Sequence, residues 1–266
     1  TWGPVKITFF GGEPLLRKDI IDLVGYASKK GVRTSIDTNG ILLDKKMVGS
    51  LKNASISNIN VSIDSNRALI HDSLRQVEGC FQSAVEGLKL CVQLHIPCLI
   101  STYASKRAIK DRDLEDIIVL AKELGLSGVK ILLPILSGKW REREAEQLDS
   151  EEEKYLESLL DPSFVYIEDA LEMVKKKGKG CSAMERNLIY ISPYGDIQPC
   201  PAIPITFGNI RNENIKSIIK RMSKHVFYKK YKTCDKCLMN EQSFRVKYFS
   251  IRKNMGLPLN VQELKL

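Results

Sequence analysis

The chain has 266 residues, 43% of them hydrophobic and 27% charged, and its 41 basic against 32 acidic residues give a net charge of +9. That suits a soluble globular protein with one large core, or one large core and a small appendage. No apolar run approaches the roughly 18 residues of a membrane span, and Thr1-Trp2-Gly3-Pro4 has no signal-peptide character, so no membrane partner and a cytoplasmic location are expected.

In chain order, short β-rich runs at Val5–Phe10, Val32–Asp37, Ile59–Ile63, Pro97–Thr102 and Val129–Leu133 alternate with amphipathic stretches at Asp19–Lys30, Asp44–Leu51, Cys80–Leu94 and Leu114–Leu124. Parallel neighbours need a crossover, which a helix supplies, so this alternation predicts an α/β fold on a parallel sheet, open or barrel-like. A long helix is expected over about Ser150–Lys177, acidic at its start and basic at its end as the helix dipole prefers. Gly178-Lys179-Gly180 then reads as a boundary, giving domains at 1–178 and 179–266. Beyond it a hairpin is expected from Leu188–Ser192 and Asp196–Pro199, then helices near Glu213–Ser223 and Asn240–Asn254. The late basic runs, Lys175-Lys176-Lys177 and Lys229-Lys230-Tyr231-Lys232, come with no nucleic-acid-binding signature, so they read as a solvated face and nucleic acid is not expected as a partner.

Thr8-Phe9-Phe10-Gly11-Gly12-Glu13-Pro14 puts two glycines, a carboxylate and a proline at the C-terminal end of a strand, where ligands bind in parallel sheets. Glycines admit a ligand to the backbone, and a carboxylate beside carbonyl oxygens suits an ammonium group. A tight strand-to-helix turn satisfies the same four residues. Ser35-Ile36-Asp37-Thr38-Asn39-Gly40 ends the next strand and Asn60-Val61-Ser62-Ile63-Asp64 the one after.

Four of the seven cysteines, Cys181, Cys200, Cys234 and Cys237, fall in the last third. A C-x-x-C pair lets two thiolates reach one metal and two distant cysteines can complete a Cys₄ site, for which spacing alone puts structural zinc first; free buried cysteines are the other reading. Cys80 and Cys91, on one helix, and Cys98, opening a strand, read as small core residues.

Taken in order, the three strand-end motifs resemble the radical S-adenosylmethionine (SAM) superfamily from about residue 4 to 135. Ile189-Tyr190-Ile191-Ser192-Pro193-Tyr194-Gly195-Asp196-Ile197-Gln198-Pro199-Cys200-Pro201 and Phe207-Gly208-Asn209-Ile210 resemble the SPASM and twitch domains of the same enzymes. The resemblance implies a partial TIM-type (β/α)6 barrel lacking its first strand, plus a small C-terminal SPASM/twitch domain of a β-hairpin and helices. It implies that Gly11, Gly12, Glu13 and Pro14 hold the methionyl amino group, that Thr38 and Asn39 line the site, that Ser62 approaches the ribose, and that Ile100 and Leu133 flank the adenine. It turns the four late cysteines into ligands of an auxiliary [4Fe–4S] cluster. It also implies an electron donor such as flavodoxin or ferredoxin, and a peptide substrate or a small molecule such as a sugar or tetrapyrrole. No catalytic acid or base is assigned. The family's C-x-x-x-C-x-x-C, which binds the catalytic [4Fe–4S] cluster, does not occur in these residues, so the chain is expected to begin inside a longer protein and to be inert alone. A non-enzymatic zinc module on an α/β scaffold is the competing reading.

Overall fold

The computed structural model describes residues 3–167, 181–232, 237–250 and 257–264. They form two compact units, the first running to Leu133 and taking in Leu148–Ile167, the second joining Pro134–Gln147 to the residues beyond 180. The boundary expected near 178 lies outside the described residues, while Pro134–Gln147, expected in the first domain, packs with the second unit.

In the first unit, β1 (Lys6–Phe9), β2 (Arg33–Thr38), β3 (Asn58–Ser62), β4 (Cys98–Tyr103), β5 (Val129–Leu132) and β6 (Val165–Ile167) form one sheet in sequence order, every pair parallel. The crossovers are α1 (Ile20–Lys29), α2 (Lys45–Asn53), α3 (Ala68–Arg75) with α4 (Cys80–Gln93), and α5 (Lys106–Lys110) with α6 (Asp113–Glu123). Each main helix buries one stripe: Ile20, Val24 and Ala27 of α1, and Ala84, Leu88 and Cys91 of α4, follow the spacing that puts residues on one face. Asp44 starts α2 by accepting the Met47 amide at 2.7 Å, a cap worth about 1 kcal/mol.

The structure corrects the sequence reading at Ser150–Lys177. Helix α7 (Ser150–Ser158) stops well short of Lys177, and Val165–Ile167 is strand β6 on the edge beside β5. Asp161-Pro162 breaks the helix, because proline disfavours helical backbone before it, and Phe164-Val165-Tyr166-Ile167 is a β-branched and aromatic run. The short helices α3 and α5 were also not expected.

The two sheet faces differ in chemistry. Ile36, Ile59, Val61, Ile100, Val129 and Ile131 are fully buried on the helix-covered face, where Val61 and Ala84 of α4 both close on Gly40. Ser35, Asp37, Asn60, Ser101 and Lys130 occupy the other face. Lys130 Nζ on β5 reaches Asp37 Oδ2 on β2 at 3.4 Å. In a flat sheet those strands would stand about 14 Å apart, three spacings of about 4.8 Å, beyond the combined reach of the two side chains. The sheet is therefore curled, and its polar face lines a lumen.

Gly40 shows how tightly the strand ends are built. Its φ is +85°, and a Cβ there would lie 2.8 Å from Ala84 Cα and 2.9 Å from Val61 Cγ1. Gly40→Ala combines left-handed backbone strain with overpacking against a helix backbone, and is expected to cost about 2–5 kcal/mol. Urea unfolding of the first unit checks it as an earlier midpoint.

In the second unit the expected hairpin is present as β7 (Tyr190–Ile191) antiparallel to β8 (Ile197–Gln198). Ile205–Thr206 pairs in parallel with Leu259–Asn260, which sequence reading missed. Helices Ile215–Lys224, Val226–Lys230 and Gln242–Arg245 follow. The core gathers Ile197, Phe207, Ile218, Phe227, Tyr228, Met239, Phe244 and Tyr248, each buried side chain contributing about 1.5–3 kcal/mol. Of the expected Asn240–Asn254 helix, Gln242–Arg245 is α-helical, Val246–Ser250 is wider-wound π-helix, and 251–256 lie outside the described residues, as does Lys175-Lys176-Lys177. Lys229, Lys230 and Lys232 are exposed while Tyr231 packs inward, the solvated face expected of that run. Among the described residues no helix is long and apolar enough to cross a membrane.

Candidate functional site

Parallel register puts the ends of β1 and β2 side by side, with Phe9 opposite Ile36. The two loops that follow are locked together by Glu13. Its Oε1 accepts from Thr38 Oγ1 at 2.8 Å and from the Leu15 amide at 3.0 Å, and its Oε2 accepts from the Asn39 amide at 2.9 Å. Thr38 Oγ1 in turn accepts the Gly40 amide at 3.1 Å, and Asn39 Oδ1 accepts the Ile41 amide at 2.9 Å. A carboxylate offers about four acceptor positions, so three bonds leave one, on Oε2, for a ligand cation.

Gly11 and Gly12 precede this brace and are exposed, and a Cβ built at either meets no atom within 4 Å. Gly11 has φ +140°, which side-chain-bearing residues avoid, whereas Gly12 has no such constraint. Pro14 opens a single 3₁₀ turn capped by Glu13. The structure thus gathers Gly11, Gly12, Glu13, Pro14, Thr38 and Asn39 at one corner of the C-terminal rim.

Ser62 ends β3 with its side chain alternating onto the same face as Asn60, towards the lumen. Ile100 is placed differently. It pairs with Val61 and is fully buried on the helix-covered face, so its side chain is core; Ser101 takes the lumen side. Leu133, just past β5, is half-buried.

The loop after Ser62 is held by a network that sequence reading did not assign. The Asp64 amide donates to His71 Nδ1 at 3.1 Å, its carboxylate pairs with Arg75 at 2.7 Å, and its carbonyl accepts from Arg107 at 3.2 Å. Fully buried Asp113 accepts from Ser65 Oγ at 3.0 Å and pairs with Arg67 at 2.9 Å and with Arg107. His71, Asp72 and Cys80 offer ligand atoms within 4.8 Å of one another. Each already has a hydrogen-bond partner: His71 accepts the Asp64 amide, and Asp72 accepts the amides of Gly79 and Phe81 as well as the Cys80 thiol. With Nδ1 accepting, the neutral imidazole keeps its proton on Nε2, and burial holds its pKa below the usual range. The Cys80 thiol, pushed up to about 11 by burial and then by Asp72, donates to Asp72 Oδ1 at 3.2 Å.

In the second unit, Cys200 is buried at the end of the hairpin, and Cys181 and Cys237 pack against the same core. Burial above all, then the neighbouring charge of Cys237 and last that of Cys181, push the Cys200 thiol up to about 12 against the opposing backbone hydrogen bonds of Ile203 and Ala202. Three of the four expected ligands therefore converge; Cys234 lies outside the described residues. A buried cysteine and two half-buried ones packed on one aromatic-rich core are donors of the kind a metal–thiolate centre uses. Burial likewise raises the Tyr228 phenol, with Cys200 adding to the effect, Arg186 opposing it and Cys181 adding last. Cys80, Cys91 and Cys98 are buried in the first unit's core, as expected.

Comparison with known proteins agrees with this geometry. Residues 2–121 match the Radical SAM superfamily model, and residues 181–238 match the SPASM iron–sulfur cluster-binding domain. An AdoMet-dependent heme synthase of Methanosarcina barkeri is 27% identical over 234 residues, 78% of this chain and 66% of that protein. The Fe-coproporphyrin III synthase of the same organism is 32% identical over 160 residues, 60% of this chain and 39% of that protein. The chain thus spans at most about two-thirds of these relatives. Among solved structures, Streptococcus suis SuiB bound to S-adenosylmethionine matches with a TM-score of 0.64 at 14% identity, over 86% of this chain and 56% of that one, a likeness of fold. With the braced double-glycine rim in one unit and the cysteines in the other, the chain carries a radical SAM domain over residues 2–121 and a SPASM domain over residues 181–238, which together imply S-adenosylmethionine and [4Fe–4S] clusters as cofactors.

Proposed function

We propose that the chain is the SAM-binding barrel and auxiliary-cluster domain of an enzyme that abstracts hydrogen from an unactivated carbon of its substrate. The observation that carries this reading is the Glu13 brace, which fixes two open glycines beside a carboxylate with one acceptor to spare. Gly11 and Gly12 let the methionyl end approach the backbone, Glu13 supplies the negative charge that its ammonium needs, and Ser62 offers a hydroxyl to the ribose. The lumen side chains Asp37, Asn60 and Lys130 hold the substrate's polar groups. When bound, SAM and the family's catalytic cluster supply a 5′-deoxyadenosyl radical. Cys181, Cys200, Cys234 and Cys237 hold the auxiliary cluster, which we read as [4Fe–4S] rather than zinc because the surrounding sequence matches the iron–sulfur domain. The electron enters from a low-potential donor such as a ferredoxin or flavodoxin.

The substrate has two readings. The resemblance to SPASM and twitch enzymes favours a peptide; kinship to the heme and Fe-coproporphyrin III synthases favours an iron tetrapyrrole. The intact, reduced enzyme is expected to release 5′-deoxyadenosine above its substrate-free background with one class only. Stimulation by iron coproporphyrin and not by candidate precursor peptides selects the second reading. Stimulation by neither, in an enzyme loaded with iron and binding SAM, contradicts both.

A further inference from the structure

We propose that the Tyr228 hydroxyl donates a hydrogen bond to a sulfur of the auxiliary cluster and so helps set that cluster's reduction potential. The proposal rests on the auxiliary-cluster reading given above. Tyr228 is 1% exposed, and its hydroxyl oxygen is buried without a hydrogen-bond partner among the described residues. Leaving a buried donor unmade costs about 1–3 kcal/mol, and native structures rarely tolerate it without a ligand or a function.

The neighbours narrow down the acceptor. The rings of Phe207 and Phe227 stand 5.7 Å from the Tyr228 ring and offer no polar atom, while the Arg186 guanidinium lies 5.7 Å over it and only donates. Cys200 and Cys181 share its core and act electrostatically on the phenol, which makes sulfur the candidate acceptor. Neither thiol is hydrogen-bonded to the hydroxyl. An acceptor held by those cysteines, a cluster sulfide or an iron-bound thiolate, would complete the bond. Nearby Tyr231 and Tyr248 show the contrast: their hydroxyls satisfy each other at 2.8 Å.

A donor to cluster sulfur favours the reduced state, which carries one more negative charge, and so raises the potential. The proton stays on the phenol, and no bond other than the hydrogen bond forms or breaks.

The test compares the reconstituted intact enzyme with its Tyr228→Phe and Tyr231→Phe variants by redox titration followed by electron paramagnetic resonance. Deuterium electron–nuclear double resonance in D₂O is recorded for each. Tyr228→Phe is expected to keep its iron, to shift the reduction equilibrium of the auxiliary cluster about tenfold towards the oxidised form, about 59 mV for one electron, and to lose one exchangeable deuteron coupled to the cluster. Tyr231→Phe, which removes a hydroxyl already partnered elsewhere, is expected to change neither. An unmoved potential in Tyr228→Phe, an equal shift in Tyr231→Phe, or no exchangeable deuteron at the wild-type cluster overturns the tyrosine's role while leaving the cluster in place. Zinc in place of iron and sulfide in the wild type overturns the cluster reading and this inference with it.

Discussion

In the intact enzyme, Gly12→Val is expected to weaken SAM binding by at least about a hundredfold while leaving the melting temperature nearly unchanged. Gly12 needs no left-handed backbone, and a Cβ at this position meets nothing within 4 Å, so the folded protein accommodates a side chain. In the proposed site the same open space is where the methionyl group approaches. A branched side chain there forfeits hydrogen bonds to a charged group, worth about 3 kcal/mol or two decades of affinity. Gly11→Ala provides the contrast, because φ +140° at Gly11 penalises any side chain and stability should fall along with affinity. Calorimetric titration with thermal melts separates the two. Unchanged SAM affinity in Gly12→Val would remove the rim from the account.

The second large effect is expected at the cysteines. Cys200→Ala or Cys237→Ala in the reconstituted intact enzyme should lose about four irons relative to the parent, because a cluster left with three thiolates is labile. Cys91→Ala should lose none. Cys91 is as buried as Cys200, but it sits in the helix-packed core of the first unit, so it controls for the loss of a buried thiol. Iron and sulfide counts decide the matter, and equal losses from Cys91→Ala and Cys200→Ala would contradict the ligand set.

Much of the first unit was legible because strand and helix periods differ so clearly. Val129–Leu133 could bury on both faces as a parallel strand does, while Cys80–Leu94 repeats at helical spacing, and both elements form within a residue or two of where they were expected. Strand β6 was not legible. A charge gradient from Glu151-Glu152-Glu153 to Lys175-Lys176-Lys177 mimics one dipole-matched helix, and only Asp161-Pro162 argues against it. At the site, the chemistry of Gly11-Gly12-Glu13 could be read from residue types and strand-end position. That Glu13 spends three acceptor positions on Thr38, Asn39 and Leu15 could not, because the pairing exists only once β1 and β2 lie in register. The face of Ile100 was not legible for a related reason: Cys98-Leu99-Ile100 is apolar at every position, and Ser101 and Thr102 beside it are both polar, so no alternation marks the lumen side. Tyr228 reads as a core aromatic in any sequence window, and its unpartnered hydroxyl appears only when the hairpin and the Val226–Lys230 helix close on one core.

The account stands most directly on whether the intact enzyme cleaves SAM homolytically at a rim built as described. Anaerobically reconstituted, reduced intact enzyme should convert SAM to 5′-deoxyadenosine and methionine in equal amounts, and Gly12→Val should form neither at SAM concentrations that saturate the parent. Iron-loaded enzyme that binds SAM and yields no 5′-deoxyadenosine, or a Gly12→Val variant as active as the parent, would contradict it.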